Sequence, residues 1–216
     1  MKTTFFSILF GLLPIFIFAQ NDSIKTYLFD KFEKGTVNYK NGTITGSLFN
    51  YNLFSGKIEF EQDNIALELS DLSSIASIKI GNCIFVQVKP DIFCERFIID
   101  NVELYVYWKY TMQSAGKKGA FGSVSQTSSI ADISQISRGG NIYNLQSSEE
   151  YITSKNNKYY IYMNDKYTQI DSPKSLGKLF KNHQKEIEDY CKQEKIDFRN
   201  VEDVKKVTAF CGKFVD

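Results

Sequence analysis

Residues 80–110 read IGNCIFVQVKPDIFCERFIIDNVELYVYWKY, and this stretch decides the fold. Three runs of β-branched and aromatic residues, Cys83–Val88, Ile92–Ile99 and Val102–Tyr110, are separated by Pro90-Asp91 and by Asp100-Asn101. Short apolar runs bounded by turn dipeptides are the mark of antiparallel strands joined by tight hairpins. Toward the N-terminus the same grammar continues. Gly35–Lys40 alternates and runs into Asn41-Gly42, Ile44–Asn50 returns, and Tyr51–Gly56 leads to Lys57–Glu61. Asp63-Asn64 then turns the chain into Ile65–Leu69, and Ile75, Ile78 and Ile80 precede Gly81-Asn82. Strands spaced by about ten residues predict an antiparallel β-rich roll or barrel over 24–112.

Downstream the composition changes twice. Residues 113–140 are rich in Gly, Ser and Gln and hold few large apolar side chains. Such a stretch reads as a surface loop or linker. Residues 141–216 then offer a second hairpin, Lys158–Met163 and Lys166–Ile170 around Asn164-Asp165, followed by Ser172-Pro173 as N-cap and first helical residue. Leu176, Leu179 and Phe180, then Ile187, Tyr190 and Cys191, then Val204, Val207, Phe210 and Cys211 recur at helical spacing. One-sided stripes of this kind need a surface to cover, most simply the preceding sheet. The predicted class is therefore α+β, a β-rich body followed by a β-hairpin and C-terminal helices.

The first nineteen residues stand apart. Lys2 precedes an unbroken run of apolar or small residues from Phe5 to Ala19, and polar Gln20-Asn21-Asp22-Ser23 follows at once. A short cation, an apolar stretch and a small residue before the polar chain make a secretory signal peptide over 1–19. The run is shorter than the roughly 20 residues of a membrane span and contains Pro14. An exported protein is expected, in the periplasm, at the cell surface or outside the cell, with no transmembrane segment after signal removal. The whole chain of 216 residues carries 26 Lys+Arg against 25 Asp+Glu. Without Lys2, 25 cations face 25 anions. A neutral protein has no global field with which to capture nucleic acid or an anionic membrane.

Export makes disulfides available to Cys83, Cys94, Cys191 and Cys211, and the pairing stays open. A two- or four-residue loop near Lys89–Asp91 would set Cys94 opposite Phe85 and diagonal to Cys83. A three-residue loop would put the two sulfurs on opposite faces of the sheet. Cys191 and Cys211 lie on consecutive helices at unequal distances from the turn between them. The competing reading of all four is small buried thiols. None has the CxxC spacing of a zinc or redox site.

The chain holds one histidine, His183, in the charged stretch KNHQKEIEDY. Cys191 lies eight residues along a helix from it, about 12 Å at a helical rise, too far for a nucleophile–base bond. His183 with Glu186 offers two metal ligands where a site needs three or four. GKKGAFGS at 116–123 combines glycines and lysines but lacks the GxxxxGK[ST] order of a phosphate loop. Lys117, Lys118 and Phe121 are nonetheless the first place to look for a lid or partner contact. Aromatics cluster at Tyr105, Tyr107, Trp108 and Tyr110 and again at Tyr159, Tyr160, Tyr162 and Tyr167. Alternation puts Tyr105 and Tyr107 on one face and Trp108 with Tyr110 on the other; one face must be core, which large aromatics fill, and an exposed set is the alternative, as a platform for sugars or peptides. No catalytic, cofactor-binding or metal-ligating residue is assigned, and no cofactor is expected.

KGTVNYKNGTITGSLFNYN, IASIKIGNCIF and GKKGAFGSVSQTSS, with the tail KYYIYMNDKYTQIDSPKSLGKLFKNHQKEIEDYCKQEKIDF, resemble a family of exported Bacteroidota-type bacterial proteins that has no established activity. The family shows a KGxVxYxNG start, a GKxGAxG loop and a helical tail, and the resemblance spans most of 34–211. It implies secretion and a β-rich body, and carries over no catalytic residue. The leading expectation is a non-enzymatic binding module of the cell envelope with a protein or envelope-component partner. A hydrolase with a histidine-independent site and a purely structural envelope component are the alternatives. A binder should show an exposed apolar patch or an unpaired sheet edge.

Overall fold

A computed structural model describes residues 24–114, 117–118, 124–125 and 151–215. The expected leader over 1–19 lies outside the described residues, as do Phe121 and most of 113–140. The strands are β1 (Glu33–Tyr39), β2 (Ile44–Asn52), β3 (Lys57–Gln62), β4 (Ile65–Glu68), β5 (Ile75–Ile80), β6 (Cys83–Lys89), β7 (Ile92–Ile99), β8 (Val102–Tyr107), β9 (Tyr110–Ser114), β10 (Lys117–Lys118), β11 (Val124–Ser125), β12 (Tyr151–Lys155), β13 (Lys158–Met163) and β14 (Lys166–Ile170). The helices are α1 (Pro173–Gly177), α2 (Gln184–Gln193) and α3 (Val201–Gly212).

Ten strands form one antiparallel sheet in the order β14-β13-β8-β7-β6-β5-β1-β2-β3-β4. Among the described residues the sheet does not close: β4 and β14 are its two edges, so of the two expected shapes it is the open roll and not the closed barrel. The hairpin turns follow from side-chain chemistry. Asp63-Asn64, Asp100-Asn101 and Asn164-Asp165 each place both residues at positive φ, between 45° and 67°. That is the two-residue geometry whose twist matches the flanking strands, and Asn and Asp tolerate it best after Gly. The Asn41-Gly42 turn is built differently, as a tight turn closed by Gly42 N–H donating to Tyr39 O at 3.0 Å, with Gly42 at φ 86°.

One row of paired residues explains the layering. Val37, Ile78, Phe85, Glu95, Val106, Tyr159 and Ile170 are successive cross-strand neighbours from β1 to β14, all on one face. All except Glu95 are apolar or aromatic, and all are buried. Glu95 sits between two apolar clusters. One holds Val102, Leu104, Val106, Tyr159, Ile161 and the helix residues Leu176, Ile187, Cys191, Val204, Val207 and Cys211. The other holds Val37, Phe49, Tyr51, Ile58, Ile75, Ile78, Ile80, Phe85 and Phe93. The helices thus cover the half of the sheet made by the later strands, as their stripes predict. Ser172 caps α1 in a reciprocal box with Ser175, and the Asn200 side chain caps α3 by accepting from Glu202 N–H at 3.0 Å.

The sheet rolls strongly enough that β3 touches β7, five strands away. The Tyr51 hydroxyl of β2 donates to Trp108 O at 3.1 Å, and Tyr110 N–H donates to Leu53 O at 2.8 Å. The Lys109 ammonium donates to Phe54 O. These bonds divide the run VELYVYWKY, read as one strand, into β8 and β9, because Lys109 N–H is taken by the Asn157 side chain at 3.1 Å. Gly56 permits the roll. It sits at φ 72°, and a Cβ there would lie 2.1 Å from the Tyr107 hydroxyl.

Residues 113–140, read as a loop, contain pairing at their start. Gln113 and Ser114 end β9 and pair with β12, and Lys117-Lys118 pair with Val124-Ser125. Beyond that stretch, β13 pairs with β8, so the later hairpin extends the body's own sheet.

Candidate functional site

The expected aromatic faces are present. Tyr105 and Tyr107 belong to the outer-face cluster with Val88, Cys94 and Tyr160, while Trp108 and Tyr110 pack on the inner clusters. Tyr105 is only 3% exposed, and Tyr107, Trp108 and Tyr110 are half-buried. Tyr105 donates to Glu103 and meets Tyr167 edge-on at 5.0 Å. Tyr167 in turn meets Tyr162, which is 37% exposed. The rings chiefly satisfy one another, so Tyr105 is a packed residue and not an open platform. Of the lysine-rich segment, Lys117 and Lys118 lie on the β10–β11 ladder, and Phe121 is outside the described residues.

All four cysteines are free thiols. Cys94 faces Val86, not Phe85, because the ladder slips between Gln87 and Lys89. The slip leaves Cys83 and Cys94 on opposite faces, which prevents a bridge. Burial pushes the thiols of Cys83, Cys94 and Cys211 up to about 12 and that of Cys191 up to about 11. A thiol acts as a nucleophile through its thiolate, so these four are poorly suited to that role at neutral pH. His183 is partly exposed. Its Nδ1 lies 2.8 Å from Glu186 Oε1, and its ring stacks on Phe214 at 4.0 Å. Among the described residues no group of three or more His, Cys, Asp or Glu is placed to hold a metal ion.

Two buried carboxylates escaped the sequence reading. Glu95, 6% exposed, accepts from the Trp108 indole N–H at 2.7 Å and also faces the Cys83 thiol. Glu59, 5% exposed, accepts from the Tyr27 hydroxyl at 2.7 Å and from the Asn52 amide at 2.9 Å. Both accept hydrogen bonds from neutral donors, so neither buried carboxyl is left without a partner. Asn50 is buried opposite Glu59 across the β2–β3 ladder and bonds the backbone of Phe29 and Lys31, just before β1. These polar groups hold the N-terminal segment to the sheet. A separate open depression of about 360 Å³ is lined by Lys40, Ser73, Gln87, Val88, Lys89 and Pro90, and it is shallow.

The open edge of the sheet is different in kind. Among the described residues β4 pairs with β3 alone, in the register Gln62↔Ile65, Glu61↔Ala66, Phe60↔Leu67 and Glu59↔Glu68. Ile65 and Leu67 share the face of Phe60, yet they are 54% and 40% exposed. Leu48, on the opposite face, is 38% exposed. Edge strands are ordinarily guarded by shortness, by charged side chains, by proline, by a bulge or by a covering helix, and β4, four residues long and ending in Glu68, has the first two. β4 reads IALE and carries no lysine or proline. The other edge, β14, begins with Lys166 and runs directly into α1, which contacts it.

No protein-family model, curated protein or solved structure matches the chain. The β4 edge is therefore read on its own chemistry. Strand position placed it, and the sequence alone had marked Ile65–Leu69 only as one strand among eight.

Proposed function

We propose that the protein is an exported, non-enzymatic interaction module of the cell envelope, and that it engages a protein partner by strand addition at β4. The open edge with its exposed apolar row carries the reading. Among the described residues the main-chain groups along β4 have no second neighbour in the sheet, and a row of exposed side chains beside them supplies apolar area. Export rests on the leader over 1–19 and on the resemblance of the 34–211 motifs to an exported family. Thiols held in the protonated form and a histidine already engaged with Glu186 and Phe214 favour binding over covalent chemistry. No helix among the described residues is long and apolar enough to cross a membrane.

Site-specific photo-crosslinking tests the reading. With a photoreactive amino acid in place of Ile65, irradiation of cells making the protein should yield one discrete cross-linked product. The same group in place of Lys166, on the guarded edge, should yield none. Equal products from both edges, or none from Ile65, would remove β4 as the binding surface. N-terminal sequencing of the protein from the envelope fraction tests export, with a start near Gln20 expected.

A further inference from the structure

Charge narrows the partner further, and the inference rests on the strand-addition reading. Between Lys57 and Lys79 the chain contains Glu59, Glu61, Asp63, Glu68 and Asp71 and no lysine or arginine. These residues form the β3–β4 hairpin and its exit, which is the open edge itself. Glu59 is internal and satisfied, and Lys57 pairs with Glu68 at 2.6 Å. Glu61, Asp63 and Asp71 carry the remaining negative charge of that hairpin and its exit, in a chain whose overall charge is +1. An acidic edge repels a second copy of itself, so the charge that leaves β4 apolar on one face also guards it against self-association.

The two faces of β4 differ in what they ask of a neighbouring strand. Ile65 and Leu67 lie on the apolar face, whereas Ala66 and Glu68 lie on the other beside Glu61 and Glu59. We propose that β4 receives an extended polypeptide segment in which aliphatic residues alternate with lysine or arginine. The aliphatic side chains extend the row of Phe60, Ile65 and Leu67, and the cations lie beside Glu68, which also holds Lys57, and reach over the small Ala66 toward Glu61 on β3. Directly opposed side chains of opposite sign favour pairing across strands, and like charges oppose it.

Fluorescence anisotropy on the full chain tests this with three labelled, end-capped heptapeptides. The first alternates valine with lysine, the second alternates valine with glutamate, and the third is the valine–lysine peptide N-methylated at alternate amides. The valine–lysine peptide should bind at least tenfold tighter than the valine–glutamate one, and N-methylation should abolish binding. Leu67→Lys should weaken binding by at least tenfold, and Glu68→Gln by a few-fold. A circular dichroism melt confirms that each variant is folded, and Glu68→Gln on the exposed edge serves if Leu67→Lys is not. Equal binding of both charged peptides, lost on N-methylation, would overturn the basic-partner inference and leave strand addition standing. Binding insensitive to N-methylation, or no binding by any peptide, would overturn both.

Discussion

The bond between Trp108 and Glu95 is the most consequential single polar contact in the core, and its removal can be worked through. Glu95 occupies the one polar position in an otherwise apolar or aromatic row, and its Oε2 accepts from the indole N–H at 2.7 Å. Trp108→Phe keeps a ring at the junction of the two apolar clusters and deletes the donor. A hydrogen bond to a charged group contributes about 1.5–3 kcal/mol. The lost apolar area of the larger ring adds under about 1 kcal/mol. The expected cost is thus about 2–4 kcal/mol, read as a fall in the urea midpoint by far-ultraviolet circular dichroism. Glu95→Gln provides the partner for a double-mutant cycle. In that background the lost bond is neutral, so Trp108→Phe should cost about 1–2 kcal/mol less than in the parent protein. Additivity of the two changes within about 0.5 kcal/mol would refute the reasoning, because independent sites behave that way.

Three further outcomes follow from the packing. Tyr159 is 1% exposed and its hydroxyl has no hydrogen-bond partner among the described residues, although Asn157 lies nearby. Tyr159→Phe should therefore raise stability by about 1 kcal/mol in thermal or urea unfolding, and a loss would show that the hydroxyl is satisfied. Gly35 packs so closely on β5 that an added Cβ would lie 2.2 Å from the Lys79 carbonyl oxygen. Gly35→Ala should cost at least the upper end of the roughly 1–3 kcal/mol range of overpacking, and an unchanged melting temperature would contradict it. The buried thiols define a pH dependence. Their folded values, about 11 to 12, lie above the ordinary value near 9. Their contribution is fully present below about pH 9 and lost as pH rises through the folded values. Stability measured from neutral to strongly alkaline pH should stay level and then decline above about pH 9, and a rise there would reverse the sign of the argument.

Legibility in the sequence tracked how local each feature is. The turns at Asp63-Asn64, Asp100-Asn101 and Asn164-Asp165 were readable because a positive φ at two successive positions is a property of those residues themselves. The faces of Tyr105 and Trp108 were readable because alternation along a strand is a backbone property. The end of β8 at Tyr107 was not, because it depends on Asn157 reaching Lys109 from 48 residues away. The register that separates Cys83 from Cys94 was likewise hidden, since the slip at Gln87 to Lys89 moves every later residue of the pair.

The sequence by itself determined the strand-and-turn body, the helical cap, the cap at Ser172 and the acidity of 58–78. Only the tertiary structure decided which strands stand at the edges. A run such as IALE has the same local preferences in the middle of a sheet as at its border, and nothing in its residues states how many neighbours it will have. The roll of the sheet, the buried Glu95 and Glu59, and the exposure of Ile65 and Leu67 all depend on pairings between residues far apart in the chain. The order of strands turned an acidic, aliphatic hairpin into an open edge.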